Sequence, residues 1–160
     1  MRMADRPLVL VVDGPNLGRL GRREPDIYGT VTRDGLLGMM AVKAAELGLE
    51  LETFRSDVEG ELVRFINDAA ARASALVINP AAYSHYSIAL MDAMGAFDGP
   101  VLEVHISQVL SREPFRRRMV TAMEADVFIA GAGVDGYLHA LDLAARMLSG
   151  ARGGSGGGER

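Results

Sequence analysis

Two kinds of hydrophobic pattern take turns along the chain. Apolar runs of strand length stand at LVLVV (8–12), LELETF (49–54), ALVIN (75–79), PVLEVHI (100–106) and ADVFIA (125–130). Most are continuous rather than alternating, which marks strands covered on both faces. Between them the spacing turns helical. Thr32 stands where a cap would start a helix that ends at Gly48, and residues 59–73 put Leu62, Ile66, Ala69, Ala70 and Ala73 on one stripe. Ile88, Leu90, Met91 and Met94 form a further apolar set, and a last helical stretch runs from Tyr137 to Leu148.

The order βαβαβαβαβα predicts an α/β fold in which right-handed crossovers lay helices on both faces of a parallel sheet. The expected architecture is a flavodoxin-like three-layer sandwich with five strands in the order 2-1-3-4-5. Open sheets of this kind bind ligands beyond the carboxyl ends of the strands at the switch point, here between strands 1 and 3. The loops after strands 1, 3 and 4 therefore carry the chemistry, and they read DGPNLGRLGRREPDIYG, NPAAYSHYS and HISQVLSRE. A length of 160 residues fits one domain, taken as 1–149, with the glycine-rich stretch 150–160 expected to be a disordered tail.

Composition narrows the partners. A net charge of −4 and only one local basic cluster, Arg116, Arg117 and Arg118, argue against nucleic acid and leave room for a small anionic ligand. Without cysteine the chain has no disulfide, zinc–thiolate site or thiol nucleophile. The apolar run before Asp13 spans five residues, too short for a signal-peptide core or a membrane span, so a cytoplasmic location is expected. GAGVDG (131–136) fits a dinucleotide-binding pattern, but it lies in the last βα unit, with the glycine tail where the acidic partner should stand; a tight strand-to-helix turn is the better reading. His85 and His105 would need a third ligand such as Glu103 to hold a metal, and nothing has zinc-site spacing.

Two pairs of residues suggest chemistry. Glu103 and His105, two apart in a strand, point to the same face, which suits either a carboxylate-supported general acid or a strand histidine simply satisfied by its neighbour. Arg23 precedes Tyr28 by five residues in one loop. A tyrosine serves as a base near neutrality only when a nearby cation stabilises the phenolate; otherwise the two are a packing tyrosine and a solvated arginine.

GPNLGRLGRREPDIYG, EGEL, NPAAYSH, ALMDA, EVHIS, REPFRR and GAGVDGYLHAL together resemble the type II 3-dehydroquinate dehydratases, in order and spacing, over about residues 8–148. That resemblance implies dehydration of 3-dehydroquinate to 3-dehydroshikimate, in the shikimate pathway, by anti elimination through an enolate, without metal or organic cofactor. It implies Tyr28 as the base, Arg23 as the cation that keeps it ionised, Asn16 as the holder of a water on the enolate oxygen, and His105 as the acid, supported by Glu103 and Asn79. Substrate contacts implied in the same way are the N–H groups of Ile106 and Ser107 for the carboxylate, Arg116 and His85 for ring hydroxyls, and Asp92 reaching in from a neighbouring subunit. It further implies a mobile lid carrying Arg23 and Tyr28, and trimers assembled into a dodecamer.

Around those positions the chain departs from the family's usual residues. Asp13 replaces asparagine, Arg55 glutamine, Met91 arginine and Gln108 asparagine; threonine gives way to Ser84 and Tyr86, and a histidine–serine pair to Arg118 and Met119. Such changes around an intact acid and base are also what a paralogue acting on an analogue such as aminodehydroquinate would show. A non-catalytic oligomer that binds a cyclic acid is the reading from a different class.

Overall fold

A computed structural model of the chain describes residues 6–22 and 24–153. Five strands, β1 (Leu8–Asp13), β2 (Glu50–Arg55), β3 (Ala75–Asn79), β4 (Val101–His105) and β5 (Val127–Ala130), form one parallel sheet in the order β2-β1-β3-β4-β5. This is the doubly wound, flavodoxin-like arrangement expected from the alternation of patterns. The helices are α1 (Pro25–Tyr28), α2 (Arg33–Leu47), α3 (Glu59–Ala69), α4 (Ile88–Gly95) and α5 (Asp135–Gly153).

Continuous apolar strands make sense once both faces are counted. Val9 and Val11, Ala75 and Val77, and Leu102 and Val104 pack on one side with Leu36 and Met40 of α2 and Tyr137 and Leu141 of α5. The intervening Leu10, Val12, Leu76 and Ile78 pack on the other side with Leu62 and Ile66 of α3 and Leu90 and Met94 of α4. Each such side chain, fully buried, contributes about 1.5–3 kcal/mol. The central strands β1, β3 and β4 are buried almost throughout, whereas the edge strands β2 and β5 are half-exposed.

Thr32 caps α2 by accepting from the Gly35 N–H at 3.2 Å, and Gly48 ends it in the left-handed region at φ 67°, both as expected. Other ends shift. α3 stops at Ala69 rather than 73, because Arg72 and Ala73 N–H both turn back to the Ala69 carbonyl. α5 begins at Asp135 and continues to Gly153, past the expected end at Leu148 and into the stretch read as tail; residues 154–160 lie outside the described ones.

Two glycines shape the switch point. A side chain on Gly14 would place its Cβ 2.4 Å from the Pro80 carbonyl oxygen, so the ends of β1 and β3 come together only because residue 14 has none. Gly21, at φ 79°, lies so close to the backbone of Thr30, Val31 and Thr32 that a Cβ would sit 2.9–3.0 Å from it. The loop that contains α1 thus leaves and returns through one narrow point.

Candidate active site

A cleft opens where β1, β3 and β4 end, as the topology requires. Asn16, Leu17 and Arg19 line it from the first loop, Asn79, Ala81, Ala82 and His85 from the third, and His105, Ile106, Ser107, Arg112 and Arg116 from β4 and the loop beyond. The first two of these loops are fastened together by the Gly14 N–H, which donates to the Asn79 carbonyl at 2.8 Å.

His105 and Glu103 share the strand face opposite Leu102 and Val104, and they meet: Nε2 of His105 lies 2.7 Å from Oε1 of Glu103. Thr121, in the 3₁₀ turn at Thr121–Glu124, donates to the other carboxylate oxygen at 2.8 Å. Glu103 is fully buried and His105 is 5% exposed. A carboxylate in that position needs such donors, and the pair of them fixes its plane. The imidazole is thereby held with Nε2 turned inward, its outer face tilted against Phe128.

Asn16 adopts a left-handed backbone, φ 68°, and its N–H donates to Oδ1 of Asp57 at 2.8 Å. The same oxygen accepts from Nη1 of Arg55 at 3.0 Å, so the cation at position 55 comes with its own counter-charge. The N–H of Asn16, and then Arg55, hold the Asp57 carboxyl below the usual aspartate range. Asn79 is buried, and its amide engages Tyr137 Oη at 3.0 Å and the Ala81 N–H at 3.1 Å. The expected support of His105 by Asn79 is therefore not the contact made: Asn79 and His105 lie on opposite faces of the sheet, and the polar partners of Asn79 are on the α5 side.

His85 Nδ1 meets the Arg118 carbonyl at 2.9 Å, and burial pushes its imidazole below the ordinary histidine range, with the Arg116 charge acting in the same direction. Arg116 is oriented by Glu113 at 2.9 Å and lies over the Phe115 ring at 5.3 Å. Ile106 and Ser107 lie where β4 turns away from its neighbours, with the His105 and Ile106 carbonyls accepting from Gly131 and Gly133. Asp92 is exposed on α4 and is absent from the cleft of its own chain.

Arg23 lies outside the described residues, and so does the side chain of Tyr28, whose backbone ends α1. A second groove runs beside the cleft, between residues 26–31 and the segments around Ser107 and Gly133; Ile106, Ser107 and Arg112 line both. The segment with α1 thus faces the cleft across a shared wall.

Sequence reasoning missed Thr121, Asp57 and the cleft-lining Arg19 and Arg112. Their partners are set only by the approach of distant loops, and a lone threonine or aspartate carries no spacing signal. Among the described residues, no helix is long and apolar enough to cross a membrane, and no three His, Asp or Glu side chains come together as a metal cage.

A flavodoxin-like sheet with a carboxylate-backed histidine at its switch point, in a cleft walled by arginines, defines an α/β protein built for acid–base work on a small anion. The family described as Dehydroquinase class II matches residues 7–145, and the chain belongs to it. It is 48% identical to the 3-dehydroquinate dehydratase of Salinispora arenicola over 139 residues, covering 86% of this chain and 97% of that protein. Its identity to the 3-dehydroquinate dehydratase of Pelotomaculum thermopropionicum is also 48%, over 87% of this chain and 96% of the relative. The crystal structure of type II dehydroquinase from Propionibacterium acnes superposes with a TM-score of 0.84 at 46% identity, covering 87% of this chain and 96% of that one.

Proposed function

We propose that the chain is a 3-dehydroquinate dehydratase that eliminates water from its substrate by an anti route through an enolate. The observation that carries this reading is the buried Glu103–His105 pair opening onto a cleft lined by Arg19, Arg112 and Arg116. The cationic wall suits a cyclic carboxylate, and a protonated imidazole backed by a carboxylate suits a reaction whose leaving group is hydroxide.

The roles follow from charge. Tyr28, kept ionised by Arg23, removes the proton α to the ketone, and the electron pair moves to the carbonyl oxygen as an enolate. A water held by Asn16 stabilises that oxygen, a task for a dipole fixed in place beforehand, as the Asp57 anchor would fix it. When the enolate collapses, the C–O bond breaks and the hydroxyl departs as water, taking a proton from His105. Because Nε2 is turned to Glu103, Nδ1 is the nitrogen that delivers it. The substrate carboxylate sits at the Ile106 and Ser107 N–H groups, His85 and Arg116 contact the ring hydroxyls, and the loop with Arg23 and Tyr28 closes across the shared wall.

Asp92 would serve a neighbouring subunit, in trimers that assemble further. Exposed Tyr86 and Ile88 beside and on its helix, and Met123 in the turn packed against α4, support an interface there. Light scattering that returned a monomer mass would remove this part of the reading.

The direct test follows the ultraviolet absorbance of the conjugated enone after 3-dehydroquinate is added. Turnover that Tyr28→Phe and His105→Ala each reduce by about a hundredfold or more is expected for loss of a general base or acid. Folded wild-type protein without turnover would end the proposal.

A further inference from the structure

On the sheet face away from Glu103 lies a second buried polar chain that the elimination does not use. Asp13, the last residue of β1, is 2% exposed, and its Oδ1 accepts from the Tyr137 hydroxyl at 2.7 Å. Tyr137 is fully buried, and its oxygen accepts in turn from Nδ2 of Asn79 at 3.0 Å. That leaves Oδ1 of Asn79 to accept from the Ala81 N–H at 3.1 Å. Nε of Arg33, buried without a hydrogen-bond partner, stands 3.6 Å from the second Asp13 oxygen, an ion pair rather than a hydrogen bond.

The chain has a direction. A carboxylate facing a guanidinium accepts only, so the tyrosine hydroxyl must donate to it, and the Asn79 amide must present nitrogen to Tyr137 and oxygen to Ala81. The far end is a strained point: Ala81 holds φ 52°, a left-handed conformation that costs a residue with a Cβ about 1 kcal/mol or more. Ala81, Ala82 and His85 form one wall of the cleft.

We propose that Tyr137, held by Asp13 and Arg33, is a positioning residue for substrate binding: it locks the Asn79 amide, and the locked amide keeps the Ala81 turn in the shape that the cleft wall requires. This rests on the dehydratase reading for its substrate, but the anchoring itself is a statement about the turn. Tyr137 touches no reacting atom, so its loss should weaken binding and leave the chemical step alone.

The test is Tyr137→Phe, which keeps the ring in the core and removes only the hydroxyl. With 3-dehydroquinate, KM should rise about tenfold and kcat stay within about twofold, the pattern for one lost hydrogen bond expressed as uniform binding. Adding Ala81→Gly, which removes the left-handed cost, should recover about threefold or more of that KM. Hydrogen exchange of the Ala81 amide should speed up about tenfold in Tyr137→Phe. Unchanged KM and unchanged Ala81 exchange would overturn the proposal, and so would a fall in kcat at constant KM. If Tyr137→Phe does not fold, Asp13→Asn keeps the shape and should raise KM and Ala81 exchange in the same direction; no change in either overturns the anchoring. Wild-type protein without turnover would count against the dehydratase reading alone, and Ala81 exchange would still decide whether the hydroxyl holds the turn.

Discussion

Replacing Glu103 by glutamine isolates the charge behind the proposed acid. The carboxylate is fully buried, receives the Thr121 hydroxyl at 2.8 Å, and lies 2.7 Å from His105 Nε2. Glutamine has the same shape: its oxygen still accepts from the imidazole, and its amide N–H donates to a Thr121 hydroxyl that rotates to accept. Packing therefore stays, and only the negative charge goes. A hydrogen bond to a charged group contributes about 1.5–3 kcal/mol, and the part specific to an imidazolium is lost when the acceptor becomes neutral. At a factor of ten per 1.36 kcal/mol, kcat for 3-dehydroquinate should fall about ten- to hundredfold. The assay is initial rates of enone formation with a thermal melt on the same sample, so that misfolding is seen separately. A folded Glu103→Gln protein whose kcat stays within twofold of its parent would refute the role of Glu103 as support for a charged acid. Glu103→Ala would be a poor substitute, because it leaves a cavity and strips two buried groups of their partner at once.

Three further expectations concern the surroundings. Asp57→Ala removes the acceptor of the Asn16 N–H and should lower kcat about five- to tenfold, an ordinary hydrogen bond's worth of positioning; since the Asp57 carboxyl sits below its ordinary range, its stabilisation is present above about pH 4 and lost as the pH falls through the lower folded value, so the melting-temperature gap between Asp57→Ala and its parent should close in acid. Burial lowers the His85 imidazole, so the unfolded chain takes the proton first and stability falls as the pH drops below about 6.5; His85→Gln should flatten that part of the curve in melts between about pH 5 and 7. Gly14→Ala, whose Cβ would lie 2.4 Å from the Pro80 carbonyl oxygen, should cost about 2–3 kcal/mol in urea unfolding, and a loss under about 0.5 would mean the β1 and β3 ends part easily.

How far the sequence could be read depended on the range of the interactions. The strands announced themselves because Val9 to Val12 and Ala75 to Ile78 feed two cores at once, which leaves no polar alternation. Glu103 and His105 were legible because a two-residue offset in a strand is a statement about direction. Thr121 was not, since it meets Glu103 only through the turn packed beside α4. Asp13 looked like a lone charge next to the site; its partners Arg33 and Tyr137 come from two different helices, the second 124 positions away. The support expected from Asn79 for His105 failed for the same reason in reverse, because adjacency at a switch point says nothing about which face of the sheet a side chain takes. The end of α5 was misplaced because glycine at 150 and 153 reads as a stop, yet a helix already packed over most of its length carries a last turn past such residues.

The close approach of Gly21 to the backbone of Thr30, Val31 and Thr32 has a consequence for how such a site can be altered. The proposed acid stands on a core strand, and the proposed base stands on a segment whose entrance and exit are one and the same place. Residues 22–29 are therefore a cassette. A longer or shorter segment can be spliced in at that neck without shifting β1 or α2, and a different proton acceptor can be brought to the cleft while the histidine and its carboxylate stay where the sheet put them.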